Sequence, residues 1–269
     1  RLFIERYSGY THLFDNLILE KHLSFDGARW LFGAYSGYAS TVFNLPIGIL
    51  ASFGVSILPV VTSAIAVKDY SRLSRVVSGA TKAVLILAMP SAAILWLFPA
   101  EILTVLFKNT ASSLMLFLMA PLIITSALSM LTSSVMHASG RIMTPFVYSL
   151  ICSLVRIFLS ALLITQPEIN ILGAIISSFI SGILYFTLSS IRLKKDGISV
   201  ISPLDFTKIL LSGSVMMLIS RLIYPTVSAF SGSAFGTVLV CTGVSLLGYV
   251  AMLFILGAIK KEEITCFSR

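Results

Sequence analysis

Residues 238–258 read VLVCTGVSLLGYVAMLFILGA and residues 83–98 read AVLILAMPSAAILWLF, and neither stretch carries a charge. Wound as helices they are apolar on every face. They lack the period-two alternation in short segments that a membrane β-barrel shows. A hydrocarbon core about 30 Å thick takes roughly 20 such residues per helix. The whole chain has the same character: 57% of its 269 residues are hydrophobic, 11% are charged, and the mean hydropathy is +0.98. A soluble domain carries roughly 25% charged residues, so this chain lacks the polar shell that a soluble core of its length needs. The fold class that follows is all-α: a polytopic transmembrane bundle of about eight helices. Spans are expected at 1–20, 30–66, 83–100, 111–136, 143–165, 170–191, 206–227 and 234–258.

The connectors give the orientation. Cytoplasmic loops hold the excess of Lys and Arg, and here basic connectors alternate with weakly charged ones. Lys68, Arg72, Arg75 and Lys82 follow the second span; Arg141 follows the fourth; Arg192, Lys194, Lys195 and Lys208 follow the sixth; Lys260, Lys261 and Arg269 form the tail. The opposite loops hold Glu20, Lys21, Asp26 and Arg29, then Glu101 and Lys108, then Glu168, and no charge between Pro225 and Gly236. Both termini are therefore expected in the cytoplasm. The net charge of +8 is a topology signal and does not form the basic stripe beside aromatic residues that nucleic acid requires.

Two stretches stand out from plain spans. From Lys68 to Lys82 the basic residues share one helical face while Leu73, Val76, Val77 and Ala80 share the other. This spacing predicts a short interfacial helix, a topology anchor or a contact for anionic lipid headgroups. The 30–66 stretch is too long for one straight crossing and contains Pro46, Gly48, Gly54 and Pro59. Irregular helices at membrane depth sit against protein or water, so this span is expected to be broken and to line a cavity; a simple packing kink is the alternative. Small residues spaced four apart, Gly33 with Gly37 and Gly232 with Gly236, and the small-residue runs Thr125–Ser134 and Ser177–Ser181, mark close helix contacts.

Cys152, Cys241 and Cys266 are odd in number and lack CxxC or Cys/His spacing, so neither a disulfide framework nor a metal site is expected. No GxSxG, HExxH or GxxxxGK[ST] motif is present. No catalytic residue, cofactor or ATP site is expected, and any transport is then driven by an ion gradient, a membrane potential or the substrate gradient.

Certain residues resemble a family. Phe32-Gly33-Ala34-Tyr35-Ser36-Gly37-Tyr38-Ala39, Asn44-Leu45-Pro46 and Ile57-Leu58-Pro59-Val60-Val61-Thr62-Ser63 are similar to the first complete helix in the C-terminal half of stage V sporulation protein B-like flippases. Ala138-Ser139-Gly140-Arg141 with Thr144-Pro145, and Ile171-Leu172-Gly173-Ala174-Ile175-Ile176-Ser177, resemble two further stretches at the right separation. His137-Ala138 departs from the family's usual Gln-Gly pair. These proteins belong to the multidrug/oligosaccharidyl-lipid/polysaccharide exporter superfamily, whose members have 14 helices in two lobes around a central cavity. The resemblance implies that residues 1–269 are a C-terminal lobe equivalent to helices seven to fourteen, that the N-terminal lobe is absent, and that Arg1, which stands where a methionine would, lies partway into helix seven.

It also implies a function: flipping a polyprenyl-diphosphate-linked oligosaccharide across a bacterial plasma membrane, for cell-wall, polysaccharide or spore-cortex synthesis. The partners implied are that lipid-linked sugar, membrane lipids and the N-terminal lobe. An ionisable group at membrane depth is costly unless it meets partners or water. Arg156 is 13 residues past Met143, about 20 Å along a helix. It is the first candidate for substrate binding, as a guanidinium that grips a diphosphate; pairing with a carboxylate or carbonyl on a neighbouring helix is the alternative. Arg221 stands four residues before Pro225, close enough to the outer surface for its stem to snorkel. Asp15 and Asn16 would bind a coupling cation or pair with an Arg, or form a solvated helix end. Arg1, Glu5 and Arg6 would pair among themselves or face the cavity, and Asn44 with Tyr35 and Tyr38 would line a sugar-binding wall or simply pack. His12, His22 and His137 have no metal-ligand partner at i+4 and read as structural or interfacial. The alternatives are a cation-coupled multidrug exporter of the same superfamily, a membrane-embedded glycosyltransferase, and a non-transporting scaffold.

Overall fold

A computed structural model describes residues 29–30, 32–67, 69–164, 171–231 and 234–258. Among the described residues every regular element is helical. A π-helical stretch, Ala34–Ala39, leads into α1 (Ser40–Ser56), and there follow α2 (Leu58–Ala66), α3 (Tyr70–Leu97), α4 (Pro99–Phe107), α5 (Ser113–Met119), α6 (Leu122–Ala138), α7 (Met143–Ile164), α8 (Leu172–Lys195), α9 (Pro203–Ser231) and α10 (Ala234–Ile255). Six stretches are long and apolar enough to cross a membrane, and α5 with α6 makes a seventh, bent by 43°. The expected span at 1–20 lies outside the described residues.

Several boundaries differ from expectation for identifiable reasons. The residues 68–82 do not form a separate interfacial helix. The described part of that stretch is the start of α3, a single 28-residue helix from Tyr70 to Leu97. Its faces are as expected in part: Leu73 and Val77 are buried while Arg72 and Arg75 are exposed. Lys82, assigned to the basic face, is buried instead, because Asp205 of α9 meets its ammonium at 2.9 Å. With its charge paired there, the helix continues into the bilayer without a break. The expected 111–136 span bends at Ala120–Pro121, where proline removes a helical N–H and its ring crowds the preceding turn. The connector carrying Glu101 is itself helical, as α4.

The expected break in the second span is present but is placed differently. Pro46 sits inside α1, whereas the irregularities are the π-helical stretch Ala34–Ala39 and a break at Ile57, two residues before Pro59. The stretch from Ala34 to Ala66 is 33 residues long, about 50 Å at 1.5 Å per residue. That exceeds a 30 Å hydrocarbon core, so part of it lies beyond the core or tilted within it.

The helices α3 and α6 pack together at the centre. Leu73, Val77, Val84 and Ala88 of α3 and Ala127, Leu131 and Val135 of α6 are all buried in one cluster. The helices α1 and α8 lie against α6, and the α9–α10 hairpin lies against α3. There Met89, Ile209, Met216, Tyr249 and Leu253 form a second cluster. Pro90, inside α3, cannot donate to the carbonyl of Ile86 one turn back. The hydroxyl of Tyr249 on α10 donates to that carbonyl at 3.1 Å, so the kink-prone turn is bonded from the neighbouring helix.

The helix α7 packs mainly on α8. Gly173, at the start of α8, stands so close to Leu163, near the end of α7, that a Cβ on it would be 2.6 Å from the Leu163 Cβ. The outer side of α7 exposes Leu150, Leu154, Ile157 and Phe158, a surface suited to lipid tails that are as apolar as leucine.

The basic connectors meet at one end of the bundle. The backbone N–H of Ser199 donates to Ser74 Oγ at 3.0 Å, Arg141 pairs with Asp196 at 2.8 Å, and Lys82 pairs with Asp205. At the opposite end the Tyr224 hydroxyl donates to Glu101 Oε1 at 2.8 Å, and its ring stacks on Phe98 with centroids 5.8 Å apart. The chain is a multi-pass membrane protein whose connectors alternate between these two ends.

Candidate functional site

A cleft of about 790 Å³ opens between α1, α6, α7 and α8. Its walls come from three helices that each present a face at i, i+3 or i+4, and i+7 spacing. From α6 these are Ser126, Ser129 and Ser133; from α7, Ser149, Cys152, Ser153 and Arg156; from α8, Ser178, Ser181, Gly182 and Tyr185. The fourth side is Tyr35, from the π-helical stretch, and Ser40, Phe43 and Asn44 of α1. The irregular second span therefore does line a cavity.

The levels of these residues along the bundle follow from the interhelical contacts. The Ser181 hydroxyl donates to the Cys152 carbonyl at 2.9 Å, which sets α8 against α7. A Cβ on Gly182 would stand 3.1 Å from Thr125 Oγ1, and one on Gly54 would stand 3.1 Å from Ser134 Oγ, which set α8 and α1 against α6. Asn44 is ten residues before Gly54 on a helix running alongside α6, about 15 Å back along it. It is therefore level with the start of α6 near Thr125. Arg156 is one turn beyond Cys152 and reaches the same level from α7. Arg156 and Asn44 thus mark one end of the cleft, and His137, Ile142 and Pro145 mark the other, next to the basic end of the bundle.

Among the described residues Arg156 is the only Lys or Arg on the cleft wall, and no Asp or Glu lines it. Arg156 is deep along α7, and its side chain is exposed and lines the cleft. A guanidinium at membrane depth is tolerated where it borders open space instead of lipid. Its planar fork of donors suits phosphate oxygens. Asn44 is likewise exposed on the wall. Arg221 is exposed on α9, which contributes nothing to the cleft, so it does not join Arg156. Arg1, Glu5, Asp15 and Asn16 lie outside the described residues. His137 lines the far end of the cleft, and no group of three or more His, Cys, Asp or Glu with metal-binding placement exists among the described residues.

The cleft serines were not picked out from the sequence, where the runs Thr125–Ser134 and Ser177–Ser181 read as packing contacts. A usable signal was present. Each of the three helices carries polar residues at heptad-like spacing on one face, and that periodicity marks a solvated groove within apolar helices.

The fold is thus an all-helical, multi-pass membrane bundle with a hydroxyl-lined cleft on which, among the described residues, Arg156 is the single guanidinium. The family model described as Lipid II flippase MurJ matches residues 33–257, and the chain belongs to this family. Stage V sporulation protein B of Bacillus subtilis (strain 168) is 22% identical over 267 residues, covering 93% of this chain and 49% of that protein. The solved structure of Lipid II flippase MurJ in its inward closed conformation has a TM-score of 0.66 at 23% identity, covering 82% of this chain and 46% of that one. The fold is therefore that of a MurJ-type helical bundle. The chain spans about half the length of the relatives it matches.

Proposed function

We propose that this chain forms one lobe of a flippase for polyprenyl-diphosphate-linked oligosaccharides, with the Arg156 cleft as one wall of the headgroup path. The observation that carries the proposal is the composition of the cleft: one guanidinium, an amide and a row of hydroxyls, with no carboxylate on the described wall. Such a wall attracts an anion and offers hydrogen bonds to a sugar. Membership of the Lipid II flippase MurJ family supports a lipid-linked substrate. In a bacterial plasma membrane the basic end, with Arg72, Arg75, Lys194 and Lys195 exposed, would face the cytoplasm by the positive-inside rule. A second lobe, equivalent to the half of the relatives that this chain does not cover, would close the path and permit alternating access.

The test is a titration of the chain in lipid nanodiscs with a polyprenyl-diphosphate disaccharide, read by native mass spectrometry. Saturable one-to-one binding, weakened about ten-fold or more by Arg156→Ala, is expected for a desolvated charge contact to phosphate. Absence of saturable binding, or equal binding by the Arg156→Ala variant, overturns the proposal.

A further inference from the structure

We propose that the basic end of the bundle carries an anion site separate from the cleft: Arg192, with Arg141, Lys194 and Lys195 around it, holds the phosphodiester of an anionic phospholipid in the adjoining leaflet. This goes beyond the flippase reading and does not depend on it.

The first support is a shortage of negative charge around one carboxylate. Asp196 follows the last residue of α8 and meets two guanidiniums. Arg141 reaches its Oδ1 at 2.8 Å, whereas Arg192 Nε stands 3.9 Å from its Oδ2, too far for a hydrogen bond. Among the described residues Arg192 Nε is the only buried side-chain nitrogen without a hydrogen-bond partner. Unbonded hydroxyls occur at several places in the bundle, but a charged donor left without an acceptor costs more than a neutral one. The Arg192 side chain as a whole is 39% exposed, so its remaining donors open outward, in the planar fork that suits phosphate oxygens. One carboxylate between two arginines leaves a net positive charge, and the adjoining Lys194 and Lys195 are exposed.

The local helix end sets how an anion is held there. The C-terminus of a helix carries partial negative charge and repels anions. In the last turn of α8, Arg192, Lys194 and Lys195 offset it, so the grip comes from side chains and not from backbone N–H groups. The other carboxylates described at this end are engaged elsewhere, Asp205 with Lys82 and Asp69 with the first turn of α3.

The second support is the apolar rim. Ile142 and Met143, which follow Arg141, and Ile191, which precedes Arg192, are all exposed. A phosphate free in water gains nothing from such a rim, whereas a phospholipid sets its acyl chains against it and its phosphate at the level of the basic groups. The site is also distinct from the Arg156 end of the cleft, since Arg156 is 13 residues beyond Met143 along α7, about 20 Å away.

The test is native mass spectrometry of the detergent-solubilised chain titrated with phosphatidylglycerol or phosphatidylcholine, with and without excess inorganic phosphate. The variants are Arg192→Gln and, as a control for the general positive field, Arg72→Gln, which removes an exposed charge at the same end. The expected result is saturable binding of phosphatidylglycerol, about ten-fold tighter than that of phosphatidylcholine, weakened about ten-fold by Arg192→Gln and unchanged in Arg72→Gln. Inorganic phosphate is expected not to displace the lipid. Equal binding of the two lipids, or equal loss in the two variants, overturns the site by reducing it to diffuse attraction. Displacement by inorganic phosphate overturns the lipid assignment in favour of a soluble anion. Should Arg192→Gln lower the unfolding temperature, Arg192→Lys, which keeps the charge and loses the fork of donors, decides by the same criterion. No sugar-bearing lipid enters this experiment, so its failure and the failure of the flippase proposal are read separately.

Discussion

Tyr249 of α10 donates its hydroxyl to the carbonyl of Ile86 on α3 at 3.1 Å, the carbonyl that Pro90, four residues on, has no N–H to serve. Tyr249 is among the largest fully buried side chains, so both donor and acceptor would be left unmatched in an apolar interior without this bond. The contact ties the α9–α10 hairpin to the central helix at the turn of α3 that its own backbone leaves incomplete.

Removing that hydroxyl should therefore be costly, and conditionally so. Tyr249→Phe is expected to lose about 1–2 kcal/mol of stability, read as a lower unfolding temperature in detergent. In a Pro90→Ala background the alanine backbone supplies the missing N–H, and the same Tyr249→Phe change is expected to cost markedly less. Equal costs in the two backgrounds would show that the bond does not compensate for the proline.

The Lys82–Asp205 pair at 2.9 Å differs in kind from the Arg141–Asp196 pair at 2.8 Å. Side-chain exposure is 11% and 20% in the first and 35% and 23% in the second. Asp205→Ala removes the carboxylate beside a buried ammonium and is expected to destabilise by about 3 kcal/mol. Arg141→Ala breaks a more solvated pair and is expected to cost under about 1 kcal/mol. Replacing both members of the first pair, Lys82→Met with Asp205→Leu, should recover most of the loss, and thermal unfolding of these variants beside the parent chain checks the ranking.

Gly173 and Gly79 offer a contrast in packing. A Cβ on Gly173 meets Leu163 Cβ at 2.6 Å, the Leu163 carbonyl carbon at 2.9 Å and the Ile164 nitrogen at 3.0 Å, while a Cβ on Gly79 meets nothing within 4 Å. Two of the three atoms near Gly173 are backbone and do not yield by a rotamer change. Gly173→Ala is expected to destabilise by about 1–3 kcal/mol through forced separation of α7 and α8. Gly79→Ala, inside α3, is expected to be neutral or stabilising by up to about 1 kcal/mol. Proteolytic nicking between α7 and α8 should rise in the first variant and stay unchanged in the second.

Asp69 caps α3 at the membrane surface. Its carboxylate accepts from the backbone N–H of Arg72 at 2.9 Å and from the Ser71 hydroxyl at 2.8 Å. The backbone bond first and then the serine bond hold its pKa below the ordinary value of 3.8, against an opposing effect of desolvation and with lesser help from the nearby Arg75 and Arg72 charges. A depressed folded-state pKa means that the cap's contribution is present above the unfolded value and is lost as pH falls through the folded value. Hydrogen exchange at Arg72 is therefore expected to speed up relative to the middle of α3 only below about pH 4. Asp69→Asn, which keeps an acceptor without the charge, should abolish that pH dependence while keeping the cap; persistence of the dependence would assign it to another group.

Length, hydropathy and charge are local properties of a chain, and from them alone the solvent and the helical character of this protein are legible. Apolar runs such as 238–258 leave no alternative to helices in a bilayer, and the alternation of Lys68–Lys82, Arg141 and Arg192–Lys208 with weakly charged loops matches the two ends of the bundle. Arg156 and Asn44 are marked in the same way, since a guanidinium far inside an apolar run and an irregular helix are visible without a fold. What faces what is a matter of packing. Whether Arg156 meets a carboxylate or a cleft depends on which helix lies opposite it, and whether Lys82 joins a surface helix or a buried ion pair depends on where Asp205, more than a hundred residues later, is brought. The serine faces of α6, α7 and α8 each look like packing in isolation. They become a hydroxyl-lined wall only when three helices point them at the same space, and that convergence is a property of the assembled bundle which no single span contains.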